Sequence, residues 1–181
     1  MTAGLLLTGG ASRRLGVDKA TLRLATGETL ADRALATLRA ACEPVVEVGR
    51  GATEARCVLE SPPGGGPVAG LLAGVALVGA PVVLFACDYP CMTVDVLRHL
   101  ARHEGDSLVP VIGGRPQFVC ARFGPRAIAA LSESFAAGDA SFRRLSLPPE
   151  WTIVDLPVAA FHDVDTVADV ERLHDLERLG D

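Results

Sequence analysis

Lysine is all but missing from this chain. Of its 17 basic residues only Lys19 is a lysine and the rest are arginine, so the bias towards arginine has spared one position, where a compact ammonium does what a planar guanidinium does not. Aromatic residues are scarce too, at 4%, which leaves no stacking platform for the bases of a nucleic acid. The formal net charge of −5 excludes the broad basic face that a polyanionic partner requires. The 5 cysteines, Cys42, Cys57, Cys87, Cys91 and Cys120, form no C-x-x-C pair. Neither a disulfide framework nor a zinc knuckle is expected, and they read as reduced core thiols. No apolar run reaches the roughly 18 residues of a membrane helix. Met1-Thr2-Ala3-Gly4 leads into a strand-like run without a signal-peptide pattern, so the expectation is a cytoplasmic protein with no membrane partner.

What is present suits a packed α/β domain. With 181 residues, 49% hydrophobic, and a mean hydropathy of +0.33, the chain is long enough for one well-filled core and short for two, so residues 1–181 are expected to form a single domain. Apolar runs predict strands at residues 3–7, 45–48, 56–59, 82–86, 107–111, 117–122 and 151–156. Helical spacing predicts helices at 30–41, 68–78, 94–103, 125–137 and 166–179. The alternation implies βαβ units and a three-layer, Rossmann-like, mostly parallel sheet. Gly113-Gly114-Arg115-Pro116 separates two strands by too little for a crossover helix. It predicts a hairpin, and so one antiparallel strand.

The first strand runs into Leu7-Thr8-Gly9-Gly10-Ala11-Ser12-Arg13-Arg14-Leu15-Gly16-Val17-Asp18-Lys19. Its glycines let backbone N–H groups approach an anion, and the clustered cations complete a phosphate cradle. The spacing fits neither a Walker A loop nor G-x-G-x-x-G. Val82 to Ala86 end on Cys87-Asp88, which puts a carboxylate beyond the carboxyl end of a strand, where open α/β sheets bind ligands; capping the following turn or helix is the other use for Asp88. Asp163 and Asp165 stand at i and i+2 before the last helix, where Asp165 or Thr166 could equally be an N-cap. His99 and His103, at i and i+4 on a helix, have no H-E-x-x-H pattern around them and read as a solvated face rather than a zinc site.

The loop pattern Leu-x-Gly-Gly-x-Ser-x-Arg-x-Gly-x-Asp-Lys resembles the N-terminal signature of the molybdenum cofactor guanylyltransferases, the MobA family, with Thr8 where alanine is usual and Leu15 where methionine is usual. The likeness continues through Gly66-Pro67-Val68-Ala69-Gly70, Cys87-Asp88-Tyr89-Pro90, Arg115-Pro116-Gln117 and Asp163-Val164-Asp165. Asp163 and Asp165 replace the family's asparagines, Val167 its proline and Gly49 a frequent asparagine. The resemblance implies a nucleotide-diphospho-sugar transferase-like fold and transfer of GMP from Mg²⁺-GTP to the phosphate of molybdopterin, with release of pyrophosphate. Lys19, Arg14 and Asp88 would be catalytic. Leu7, Thr8, Gly9, Gly10, Lys19, Glu60, Gly66, Pro67 and Gly70 would bind the nucleotide, and Glu60 would accept from the guanine edge. Asp88 and Asp165 would hold Mg²⁺, while Arg115, Gln117, Arg143, Arg144 and Asp163 would face the acceptor. Product hand-over would involve transient contact with cofactor-biosynthesis proteins or molybdoenzymes. A cytidylyltransferase of the same cofactor, another small-molecule nucleotidyltransferase, and a non-catalytic nucleotide-binding regulator remain as alternatives.

Overall fold

The computed structural model describes residues 2–9, 18–142, 156, 158–166 and 168–173. Four of the expected strand segments become the parallel strands β1 (Ala3–Leu7), β2 (Val45–Val48), β3 (Arg56–Val58) and β4 (Val82–Ala86). With β7 (Cys120–Phe123) antiparallel to β4, they form a five-stranded sheet of order β3-β2-β1-β4-β7. The pleat sends neighbouring residues to opposite faces. Leu6 packs among Leu35, Leu38, Leu97 and Leu100 of α1 (Leu30–Arg39) and α3 (Val94–Arg102). Leu5 packs among Val68, Leu71 and Leu131 of α2 (Gly66–Val78) and α4 (Pro125–Ala136). Both faces of β1 and β4 are covered, which is why those two strands are continuous apolar runs rather than alternating ones.

Helix starts follow local chemistry. Thr29 and Asp32 form a reciprocal capping box on α1, Thr93 caps α3, and α2 and α4 begin with a proline in the first turn. Helix α2 lies close on the sheet because Gly74 has no side chain; a Cβ there would meet Leu5 at 2.7 Å.

The expected hairpin is present. β5 (Val111–Ile112) pairs with β6 (Arg115–Pro116) across Gly113 and Gly114, both at positive φ as a two-residue hairpin turn demands. The strands on either side are shorter than expected. Only Leu108 of residues 107–111 bridges to Arg122 beforehand, and Cys120 N–H donates to Gln117 O in a turn that delays β7. Pro110 and Pro116 supply no ladder donor, which limits pairing at this edge. Of the expected strand at 151–156 only Leu156 is described, and of the helix at 166–179 residues 168–173 are helical. Cys57 corrects the reading of the cysteines as core thiols. It lies exposed on the edge strand β3, whereas Cys42, Cys87 and Cys120 are buried and Cys91 is half-buried. No helix among the described residues is long and apolar enough to cross a membrane.

Candidate active site

The register aligns Leu7 with Val48 on one side and Ala86 on the other. The chain therefore leaves β1, β2 and β4 together at the carboxyl edge, on either side of β1, where the strand order reverses direction. Thr8 and Gly9 continue β1, and Cys87 N–H donates to Leu7 O, which brings Asp88 beside the start of the glycine loop.

Two further segments reach this edge. Lys19 opens a short 3-10 turn whose N-cap, Asp18, accepts from Ala20 N–H, and buried Ala20 anchors the turn. On the far side, Val164 N–H donates to Asp88 O at 2.9 Å and lays residues 162–165 along the strand end. Thr166 and Asp169 form a reciprocal cap for the helix at 168–173, so Asp165 is spared capping. Thr93 likewise caps α3 and spares Asp88. The Lys19 ammonium donates to Asp88 Oδ2 at 3.3 Å and to Asp165 Oδ1.

Among the described residues, one ammonium faces Asp88 and Asp165, with Asp163 nearby. Burial pushes the Asp88 carboxyl above its ordinary range despite the pull of Lys19, and Asp163 adds to the rise. Burial on its own would lower the Lys19 pKa, but the hydrogen bond it donates to Asp165 and the charges of both carboxylates outweigh it and hold the ammonium above its ordinary value. Asp88 Oδ1 is buried without a hydrogen-bond partner among the described residues. An orphaned hard oxygen beside a second carboxylate fits a divalent cation such as Mg²⁺. Among the described residues no group of three or more His, Cys, Asp or Glu side chains is arranged as a metal cage, so a cation here would complete its shell with water and phosphate oxygens.

The other expected residues fall around this cluster. Glu60 is half-buried, and its Oε1 accepts from Gly64 N–H at 2.8 Å, closing the loop that leads to Gly66 and Pro67 at the start of α2. Gly70 is buried, and a Cβ there would meet Leu7 and Val48 at 3.1 Å, so its visible work is to let α2 approach the sheet. Arg115 is exposed on β6, with its carbonyl accepting from Gln117. Gln117 in turn accepts from Tyr89 Oη at 3.3 Å. Asp163 is exposed. Gly10, Arg14, Arg143 and Arg144 lie outside the described residues. A cavity of about 300 Å³ beside Gln117 is lined by Pro67, Phe118, Ser141 and Phe142.

Two site residues were missed in the sequence. Tyr89, the single tyrosine, follows Asp88 and packs edge-on against Phe161, joining the Asp88 turn to the segment that delivers Asp165. Glu47 is fully buried in β2. Its Oε1 accepts from Thr8 Oγ1 at 2.6 Å and from Gly51 and Ala52 N–H, and its Oε2 accepts from the Thr53 N–H and hydroxyl. Burial pushes that carboxyl up, but these donors outweigh it and hold it below its ordinary value. The signal was available, because an acid inside Val45-Val46-Glu47-Val48 must find partners. The same contact explains Gly49. A Cβ there would collide with Thr8 Oγ1, so threonine at 8 and glycine at 49 are one paired choice.

A sequence model of the MobA-like NTP transferase domain matches residues 4–148. The chain belongs to this family. It is 33% identical over 97% of its length, and 85% of the relative's, to a probable molybdenum cofactor guanylyltransferase of Chloroflexus aggregans. Among solved structures, molybdopterin-guanine dinucleotide biosynthesis protein A of Archaeoglobus fulgidus superposes with a TM-score of 0.79 at 23% identity, covering 98% of this chain and all (100%) of that one. The 4-diphosphocytidyl-2C-methyl-D-erythritol synthase of Anaerococcus prevotii shares the fold at a TM-score of 0.73 and 11% identity, with 98% and 96% of the two chains covered. The protein is thus a MobA-like nucleotidyltransferase, and its mixed sheet with one antiparallel member is the fold of these enzymes.

Proposed function

We propose that this site transfers GMP from GTP to the terminal phosphate of molybdopterin and releases pyrophosphate. The observation that carries the reading is the Lys19 ammonium held between Asp88 and Asp165 at the carboxyl edge of β1 and β4. The name carried by the Chloroflexus relative supports the guanine nucleotide and the acceptor.

An oxygen of the acceptor phosphate attacks the α-phosphorus of GTP. The bond from that phosphorus to the oxygen bridging the β-phosphate breaks, and pyrophosphate leaves with the electron pair. The attacking oxygen is already anionic at neutral pH, so no general base is required. Repulsion between anions is the barrier, and rate comes from positioning and neutralisation. Lys19, with Arg14 from the glycine loop, holds the triphosphate and meets the charge that grows on the leaving group. A Mg²⁺ ion held by Asp88 and Asp165 supplies further neutralisation and alignment of phosphate oxygens when bound. Leu7, Thr8, Gly9 and Gly10 offer backbone to the nucleotide, and Glu60 with Gly66, Pro67 and Gly70 frames the guanine. The acceptor takes the cavity beside Gln117, and Arg115, Arg143, Arg144 and Asp163 are the further residues assigned to it.

Thermal shifts test the base. GTP at 100 times its Kd stabilises the fold by about 2.7 kcal/mol, and it should exceed CTP and ATP at equal concentration with Mg²⁺, a gap that Glu60→Gln narrows. Equal shifts reject the guanine assignment, and a largest shift with CTP turns the reading to cytidylyl transfer.

A further inference from the structure

Lys19 stands where a metal would. Its Nζ contacts one oxygen of each carboxylate proposed to ligate Mg²⁺, and a Mg²⁺ ion needs carboxylate oxygens at about 2.0–2.1 Å. An ammonium bridging those two oxygens takes up the space where an ion held by the same pair would sit, and the two cations repel. We propose that Lys19 is the resident counter-cation of this site, and that it yields the position to a divalent cation only when a triphosphate draws its ammonium away. Nucleotide and metal then load as one unit. The inference rests on the reading of Asp88 and Asp165 as the cation pair.

The local structure suits a head that moves on a fixed base. The backbone of Lys19 is held by the Asp18 cap and by Ala20, which is 1% exposed. The side chain beyond it is a flexible four-carbon stem carrying one compact charge, with 17% of its surface open to solvent. In the free protein the ammonium neutralises carboxylates that would otherwise repel each other in a partly buried setting. Asp88 Oδ1, which the lysine leaves unpartnered, keeps a lone pair for the incoming ion. The triphosphate is the stronger attractor, since it carries several negative charges against the two that the ammonium leaves.

Mn²⁺ binding followed by the electron paramagnetic resonance of the free ion tests this without turnover. Wild-type protein alone should bind Mn²⁺ weakly and bind it at least about tenfold more tightly with GTP present. Lys19→Met removes the charge and keeps the stem. It should bind Mn²⁺ alone at least about tenfold more tightly than wild type, the scale on which one adjacent cation shifts a carboxylate's affinity for a proton, and lose most of the enhancement by GTP. Lys19→Gln, with a polar head, should follow Lys19→Met and guards against misfolding of one variant. Unchanged or weaker Mn²⁺ binding by both folded variants overturns the proposal. Asp88→Asn separates the two layers of the argument. If it abolishes Mn²⁺ binding in the GTP complex while the Lys19 variants behave like wild type, displacement is wrong and the cation pair stands. If Asp88→Asn binds like wild type with GTP, the cation pair itself is wrong and the proposal falls with it.

Discussion

At the scale of the residue, the choice of lysine at position 19 carries the heaviest load. Lys19→Arg keeps the charge but substitutes a planar, wider head for a point charge between two carboxylates. Steady-state kinetics should show kcat falling more than GTP affinity, and a near wild-type kcat would remove Lys19 from the chemistry. Glu47 gives a prediction of a different kind. Glu47→Gln leaves the Thr53 donors facing an amide and should cost about 1–3 kcal/mol in chemical denaturation. The sign with pH follows from linkage. The folded-state pKa lies below the ordinary 4.5, so the stabilisation is complete above the unfolded value and is lost as pH falls through the folded one. Asp106 and Asp169 are also held low, so the informative quantity is the wild type minus Glu47→Gln difference, which should shrink below pH 4.5. A difference that does not change with pH would mean that Glu47 is not ionised in the fold. Thr8 and Gly49 should couple. Gly49→Ala alone collides with Thr8 Oγ1 and destabilises, whereas in a Thr8→Ala background the nearest obstacles stand at 3.2 Å. A double-mutant cycle should return a favourable interaction free energy of about 0.5–3 kcal/mol, and simple additivity would deny the pairing.

At the scale of the element, the site is made by where segments stop. Strands β1 and β4 end in register, the 162–165 segment is tied to Asp88 O, and Thr166 assumes the capping duty. Thr166→Ala should therefore cost about 0.5–2 kcal/mol of stability while Asp165→Asn costs little stability and more activity. In a Mg²⁺ titration Asp165→Asn should be the milder of the two ligand variants, because Asp88 is the more buried, at 26% side-chain exposure against 42%. Equal damage from Asp165→Asn and Asp88→Asn would overturn that division. Elements buried on both faces were legible in the sequence to the residue, as β1 and β4 show, because burial leaves an unbroken apolar run. Edge elements were not. Residues 107–111 and 117–122 were read as full strands, yet Pro110, Pro116 and the turn closed by Gln117 O cut their pairing short. The glycine hairpin was legible because two successive positive φ angles demand glycine.

At the scale of the whole molecule, the fold brings together groups that the sequence holds far apart. Lys19 and Asp165 are separated by 146 positions, and composition for the first and the family resemblance for the second gave each a role without giving the contact. Topology supplies it, because crossovers through α1 and α2 bring β2 and β4 back parallel to β1, with their ends at one carboxyl edge. Tyr89 went unread for the same reason, since its partners Gln117 and Phe161 are neighbours only once the layers are stacked. The central claim is that this edge joins the α-phosphate of GTP to molybdopterin. The direct measurement is to supply α-labelled GTP, Mg²⁺ and molybdopterin and to follow label and pyrophosphate together, with Asp88→Asn as the inactive control. The account predicts that labelled GMP appears on the pterin in step with pyrophosphate, and that CTP substitutes poorly. Pyrophosphate release without label on the pterin, transfer preferred from CTP, or full transfer by Asp88→Asn would contradict it.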